Sequence, residues 1–235
     1  MNLIILTADD YLNDNTVVLR DRRHQHLKQV LKRTTGETVQ VGLRDGLMGE
    51  GTLISQSTEE TQLQVVLTQA PPPPLPITLL LALPRPRMLA RTLEHVTALG
   101  VKKLVLMQTA RVEKSYWQSP ELRPEKINQH LLQGLEQARD TRWPSIQQVQ
   151  RFKPFVEDEL PTISKGSRCL VAHPGMPTAC PYALEEPVTL AIGPEGGFVP
   201  FEIEALQKQG FEGIHLGPRI LRVETAVTAL LSKLF

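Results

Sequence analysis

Ile192-Gly-Pro-Glu-Gly-Gly-Phe198 and Leu216-Gly-Pro-Arg-Ile-Leu-Arg-Val-Glu-Thr-Ala226 decide how this chain is read. Each follows an apolar run of strand type, Val188–Ile192 and Phe211–Leu216, and each leads into a run of helix type. Two backbone-rich loops at neighbouring positions of a sheet are how an open α/β domain builds a small-molecule pocket. Glycine lets main-chain groups approach a ligand closely, and proline limits the freedom of the loop. Neither stretch is a phosphate fingerprint: no Gly-Lys-Ser/Thr follows, and the Gly-x-Gly-x-x-Gly spacing is absent. The residue pattern disfavours a di- or triphosphate ligand and suits one read by backbone groups and apolar walls. A tight strand-to-helix turn without a ligand remains the plainer alternative.

Working outward, strands and helices alternate through the second part of the chain. Ile77–Leu83 and Lys103–Met107 read as strands, and so do Arg168–Ala172, Val188–Ile192 and Phe211–Leu216. Met88–Leu99, Glu121–Ala138, a segment opened by Pro200 and closed by Gly210, and Val223–Phe235 read as helices. Continuous apolar strands alternating with helices predict a mostly parallel sheet covered on both faces. The first part reads differently. Thr16–Leu19, Thr38–Val41, Gly51–Ile54 and Gln62–Leu67 are short β runs parted by turns such as Arg44-Asp-Gly46, with one helix expected over Arg23–Arg33. Between the parts lies Ala70-Pro-Pro-Pro-Pro-Leu-Pro76, which favours an extended, semi-rigid spacer. The expectation is an α/β protein with a small barrel over residues 1–70, a linker over 71–76 and a larger domain over 77–235.

Composition excludes several classes. The 235 residues carry 26 Lys and Arg against 25 Asp and Glu, a net charge of +1, so nothing draws the whole surface to nucleic acid. Cys169 and Cys180 are too few for a disulfide framework or a zinc site, so no metal is expected and a reducing compartment fits. The apolar start at Met1–Leu6 meets Asp9 and Asp10 too early for a signal peptide, and no apolar run reaches membrane-spanning length. A soluble, cytoplasmic protein is expected. One local cluster stands out: Arg20, Arg22, Arg23, Lys28, Lys32 and Arg33, with His24 and His26, against the single acid Asp21. Such a one-sided cluster can neutralise phosphates, with Arg85 and Arg87 extending it; a solvated helix face is the alternative. Tyr116, Trp117 and Trp143 are stacking candidates for an unpaired base, or packing residues. His173 and His215 belong to no triad or metal pattern and read as locally bonded.

The two opening stretches, about twenty residues apart, resemble the motifs of the small-subunit ribosomal RNA (uracil-N3) methyltransferase family of the SPOUT superfamily. The resemblance covers the whole chain and extends, more weakly, to Arg23–Lys32, Leu99-Gly-Val101 and Glu136-Gln137. It implies an N-terminal PUA-like RNA-binding β-barrel, then a SPOUT α/β domain with a deep trefoil knot. Knots are so rare that no spacing could suggest one. It further implies the cofactor S-adenosyl-L-methionine, surrounded by Ile192, Gly193, Glu195, Gly197, Leu216, Gly217, Ile220, Leu221, Thr225 and Ala226. The substrate would be a uridine N3 in ribosomal RNA or in the small ribosomal subunit, and the enzyme a homodimer.

Arg222 is the candidate to stabilise negative charge on the uracil oxygens, because a fixed cation acts strongly in a dry site. Glu224 and Glu195 are candidates for the base, which the sequence does not identify. The chain departs from the family at His95 and Ala98, where Lys and Glu are common, at Ala110 within Thr109-Ala-Arg-Val112, and within Glu136-Gln-Ala-Arg-Asp140. These departures keep two other readings open: an RNA-binding protein of the same fold without chemistry, and a methyltransferase for another RNA base.

Overall fold

The computed structural model describes residues 2–235 and divides into two units. The first comprises Met1–Pro73 together with Leu132–Trp143, and the second Pro74–Leu131 with Pro144–Phe235.

The first unit holds a six-stranded sheet in the order β1-β4-β5-β6-β3-β2. Its strands are β1 (Ile4–Leu6), β2 (Tyr11–Asn13), β3 (Thr16–Leu19), β4 (Thr38–Leu43), β5 (Met48–Gln56) and β6 (Thr61–Gln69). All pairings are antiparallel except β1 with β4. The core lies between alternating residues such as Val17, Leu19, Val39, Val41, Leu63 and Val65, closed by Leu27. The expected helix over Arg23–Arg33 is shorter: α1 (Arg22–Gln25) continues as a π-helical turn over His26–Val30. Asp21 caps it by accepting the Arg23 N–H at 2.8 Å, and Lys32 at φ 50° ends the segment. The returning segment buries Leu135 against Leu3 and Ile5, with Trp143 packed alongside. Thr141 Oγ1 donates to the Gly46 carbonyl at 2.6 Å, and the Trp143 N–H to Asp45 at 2.7 Å.

The second unit is built on a seven-stranded parallel sheet in the order β11-β13-β10-β12-β7-β8-β9. Its strands are β7 (Ile77–Ala82), β8 (Lys103–Met107), β9 (Ser145–Val149), β10 (Arg168–Ala172), β11 (Thr178–Ala179), β12 (Val188–Ile192) and β13 (Glu212–His215). Every residue of β12 is buried, as in a strand covered on both faces. The helices are α2 (Pro86–Ala98), α3 (Pro124–Ala138), whose residues from Leu132 on belong to the first unit, α4 (Phe152–Pro154), α5 (Leu160–Ile163), α6 (Pro200–Lys208) and α7 (Val223–Leu234). Helix α2 packs on α7. Proline opens α2, α3 and α6, where its missing N–H costs no intrahelical bond. For α3 this moves the start from the expected Glu121 to Pro124. The strand at Ser145–Val149 was not legible: Ser-Ile-Gln-Gln-Val alternates weakly, and it sits at the sheet edge where polar side chains are tolerated. Among the described residues no helix is long and apolar enough to cross a membrane.

Candidate functional site: a cavity at the carboxyl ends of three strands

Register places Ala172 beside Ile192 on one side and Ile214 on the other, so β10, β12 and β13 end at one level. Three loops therefore emerge together. The two stretches quoted at the outset do not come from adjacent strands; they flank the His173-Pro174 loop of β10. An open cavity lies among the three, at the carboxyl ends of the strands where open α/β sheets place small-molecule sites. Ile192, Ile214, Val223 and Leu230 give it apolar walls.

The Gly193–Phe198 turn is held from several sides. Phe198 is buried in the sheet core, and the Gly197 N–H closes the turn onto the Pro194 carbonyl at 2.7 Å. Gly197 has φ +71°, and a Cβ there would lie 3.1 Å from the His173 ring; a Cβ on Gly193 would lie 2.9 Å from the Phe198 nitrogen. Glycine is required at both positions, one for its left-handed backbone and both for close approach. Arg111, from the loop after β8, donates to the Gly196 carbonyl. Glu195 accepts the Arg85 N–H at 3.4 Å and lies 3.8 Å from its guanidinium.

On the other side, the Gly217 N–H donates to His215 Nδ1 at 2.9 Å, with Gly217 at φ +108°. Ile220 is 81% exposed and Leu221 39% exposed, apolar side chains standing at the mouth. Arg222 is the residue before α7, and its carbonyl accepts the Ala226 N–H at 2.8 Å.

Of the residues expected around a cofactor, Ile192, Gly193, Glu195, Gly197, Leu216, Gly217, Ile220, Leu221 and Ala226 line this cavity. Thr225 is exposed and does not line it. Arg222 and Glu224 also lie outside the lining, on either side of Val223, which is part of it. The two cavity histidines differ. His215 is bonded locally, as its sequence context suggested. His173 Nδ1 is buried without a protein partner, and burial, aided by the Arg111 charge, lowers its pKa. No sequence pattern singled it out; only the register of β10 between β12 and β13 reveals it.

The basic cluster of the first unit is another matter. Arg23 is only 11% exposed and is enclosed by Asp10, at 2.6 Å, and Asp21, while donating to the Ile5 carbonyl. His24 is fully buried, Nδ1 2.8 Å from Thr61 Oγ1. Both are interior groups, which corrects their reading as phosphate contacts: a guanidinium held by two carboxylates has no donors left for a third anion. Arg20 pairs with Glu60, Arg22 with the buried Glu136, and Arg33 with Glu37. Lys28 bonds the Ser57 carbonyl, while Lys32 is exposed. In the second unit Arg85 and Arg87 are both exposed.

The RNA methyltransferase domain family matches residues 71–235. The ribosomal RNA small subunit methyltransferase E of Treponema pallidum is 30% identical, over 97% of this chain and 88% of its own length. The chain belongs to that family. A second relative of the same name, from Borreliella burgdorferi, is 22% identical over 97% of this chain and 95% of its own. Among solved structures, the family's Neisseria gonorrhoeae protein bound to S-adenosyl methionine shares the fold. Its TM-score is 0.76 at 21% identity, covering 98% of this chain and 95% of that one. A Legionella pneumophila protein in complex with the same cofactor gives a TM-score of 0.74 at 24% identity, with coverages of 98% and 95%.

Proposed function

We propose that this protein transfers a methyl group from S-adenosylmethionine to N3 of a uridine in small-subunit ribosomal RNA. The observation that carries the reading is the convergence of both family motifs on one apolar, glycine-edged cavity. The fit is physical. A Cβ on Gly197 would lie against the His173 ring and crowd the cradle. Ile192, Gly193, Glu195, Gly197, Leu216, Gly217, Ile220, Leu221 and Ala226 would hold the cofactor, with Thr225 acting from α7 at most indirectly.

When bound, the cofactor supplies an already activated methyl group, so the protein's tasks are alignment and proton removal. The N3 proton of uracil must leave before its nitrogen is a nucleophile. His173 is the group to hold that proton: its lowered pKa keeps it neutral near pH 7 and Nδ1 is unpartnered. Glu195, tied to Arg85, and Glu224, outside the lining, are less suited. Arg222, beside the cavity, would stabilise the charge spread onto the uracil oxygens.

The finer parts of the reading go with it: a PUA-like barrel over 1–70, a linker over 71–76, a knotted SPOUT domain over 77–235 whose segment 132–143 packs with the first unit, a homodimer, and a cytoplasmic site of action. The test is incubation with isolated small subunits and labelled S-adenosylmethionine, followed by mass spectrometry of the nucleosides. Label in 3-methyluridine is expected. Label in another nucleoside would redirect the reading to a different base, and no label with no cofactor uptake would leave an RNA-binding protein without chemistry.

A further inference from the structure

Beyond the cavity, the same sheet edge carries a row of cations. Ala82, Met107 and Val149 pair in register at the carboxyl ends of β7, β8 and β9. Within a few residues of those ends stand Arg85, Arg111 and Arg151, all exposed. Strand order therefore sets the three residues in sequence along the sheet, from the cavity rim toward the edge strand, adjacent strands being about 4.8 Å apart. Arg85 and Arg111 hold the Gly193–Phe198 turn; Arg151 has no ion pair among the described residues.

The loop after β8 adds an aromatic surface. The indole N–H of Trp117 donates to Gln108, whose amide in turn donates to the carbonyls of Thr109 and Val112. The ring is thereby fixed, half-buried, over an open groove lined by Gln108, Lys114, Gln118 and Gln150. Neighbouring Tyr116 bonds Glu113 through its hydroxyl. A pinned aromatic face beside unpaired Lys and Arg is the chemistry that seats single-stranded nucleic acid: stacking for a base, cations for phosphates. The first unit's helix, whose arginines are engaged internally, offers less.

We infer that single-stranded RNA lies along this edge, from Arg85 past Arg111 and the Trp117 groove to Arg151, and so reaches the cavity. The inference rests on the RNA-methylating reading for its purpose, but its test does not. Anisotropy of a short labelled single-stranded RNA of mixed sequence, titrated with the full chain over a range of salt, gives the slope of log K against log salt. The Lys114→Gln and Arg151→Gln changes should each flatten that slope by about 0.7, one lost phosphate contact on a single strand. Trp117→Ala should weaken binding about tenfold, while Trp117→Phe, which keeps a stacking face, retains most of it. In a Trp143→Phe protein, whose one remaining indole is Trp117, RNA should quench the fluorescence. Unchanged slopes and no quenching overturn the inference, and so does a slope that responds to Lys28→Gln and Lys32→Gln instead. Subunit methylation that proceeds with such results leaves the methyltransferase reading standing. Slopes that change in a protein unable to methylate would fail only that reading.

Discussion

Glu202, 3% exposed, accepts the N–H of Ala110 at 2.6 Å, a residue 92 positions earlier, and with its other oxygen the N–H of Val199 at 2.9 Å. One buried carboxylate thus ties the loop after β8 to the start of α6 and fixes the Gly193–Phe198 turn that leads into it. Backbone hydrogen bonds to a charged acceptor are each worth about 1.5–3 kcal/mol. Glu202→Ala should therefore destabilise the protein by roughly 3 kcal/mol in urea unfolding, with Glu202→Gln costing less because one amide oxygen still accepts. Equal stability for wild type and the Ala variant would show that the carboxylate is not what holds the turn.

Arg23 serves the interior of the first unit. Breaking a buried pair leaves its partners uncompensated, so Arg23→Gln should cost about 3 kcal/mol. It should leave the salt slope of RNA binding unchanged, which separates this role from a phosphate contact. The pH dependence follows from Asp21. Burial raises its pKa, but the hydrogen bonds and charge of Arg23 outweigh that and hold it below the usual carboxylate value. A lowered carboxylate pKa contributes stability above the unfolded value, about 3.9, and loses it as pH falls through the folded one. Thermal scans between pH 5 and 2 should show a steeper loss in wild type than in Asp21→Asn.

His173 gives a second pH signature with a higher window. Its folded pKa is depressed, chiefly by burial and then by Arg111. Above the unfolded imidazole value, about 6.5, both states are neutral; below it the unfolded chain takes up a proton that the folded protein resists. Stability should fall as pH drops from 7 toward 5, and His173→Gln should remove that part of the slope. The same substitution should lower turnover and abolish the acidic limb of its pH profile while the fold persists. An unaltered profile would take His173 out of proton transfer.

Arg222 stands beside the cavity without lining it, so its role is separable from cofactor binding. Arg222→Ala should cut turnover roughly 10²-fold, the scale for losing one preorganised charge-stabilising donor. S-adenosylmethionine affinity should stay within twofold. Loss of cofactor affinity without a change in turnover would assign it to binding instead.

The strands and helices that frame the site were legible because their signals are local. Val188–Ile192 is an unbroken apolar run, Pro200 and Gly210 bracket α6, and the glycine turns announce backbone approach. Relations between distant residues were not legible. Nothing in the sequence shows that β10 inserts between β12 and β13, so His173 was set aside although it faces the same cavity. Nor does sequence show that Asp10 and Asp21 close on Arg23, because a run of basic residues looks alike whether its partners are phosphates or carboxylates. Segment 132–143 joins the first unit through contacts with Leu3, Ile5 and Asp45, all more than eighty residues away. Pairing at such separations leaves no periodicity to read.

The most direct measurement is a calorimetric titration of the protein, alone and without RNA, with S-adenosylmethionine, set against the Gly197→Val and Gly217→Val variants. Both glycines sit at positive φ, where a β-branched residue is strained, and both line the cavity. Saturable uptake of one cofactor per chain by the wild type, lost or weakened more than tenfold in each variant while both remain folded, is the expected result. Equal cofactor affinity in all three proteins, or heat of binding from none, would contradict the assignment of this cavity to the methyl donor.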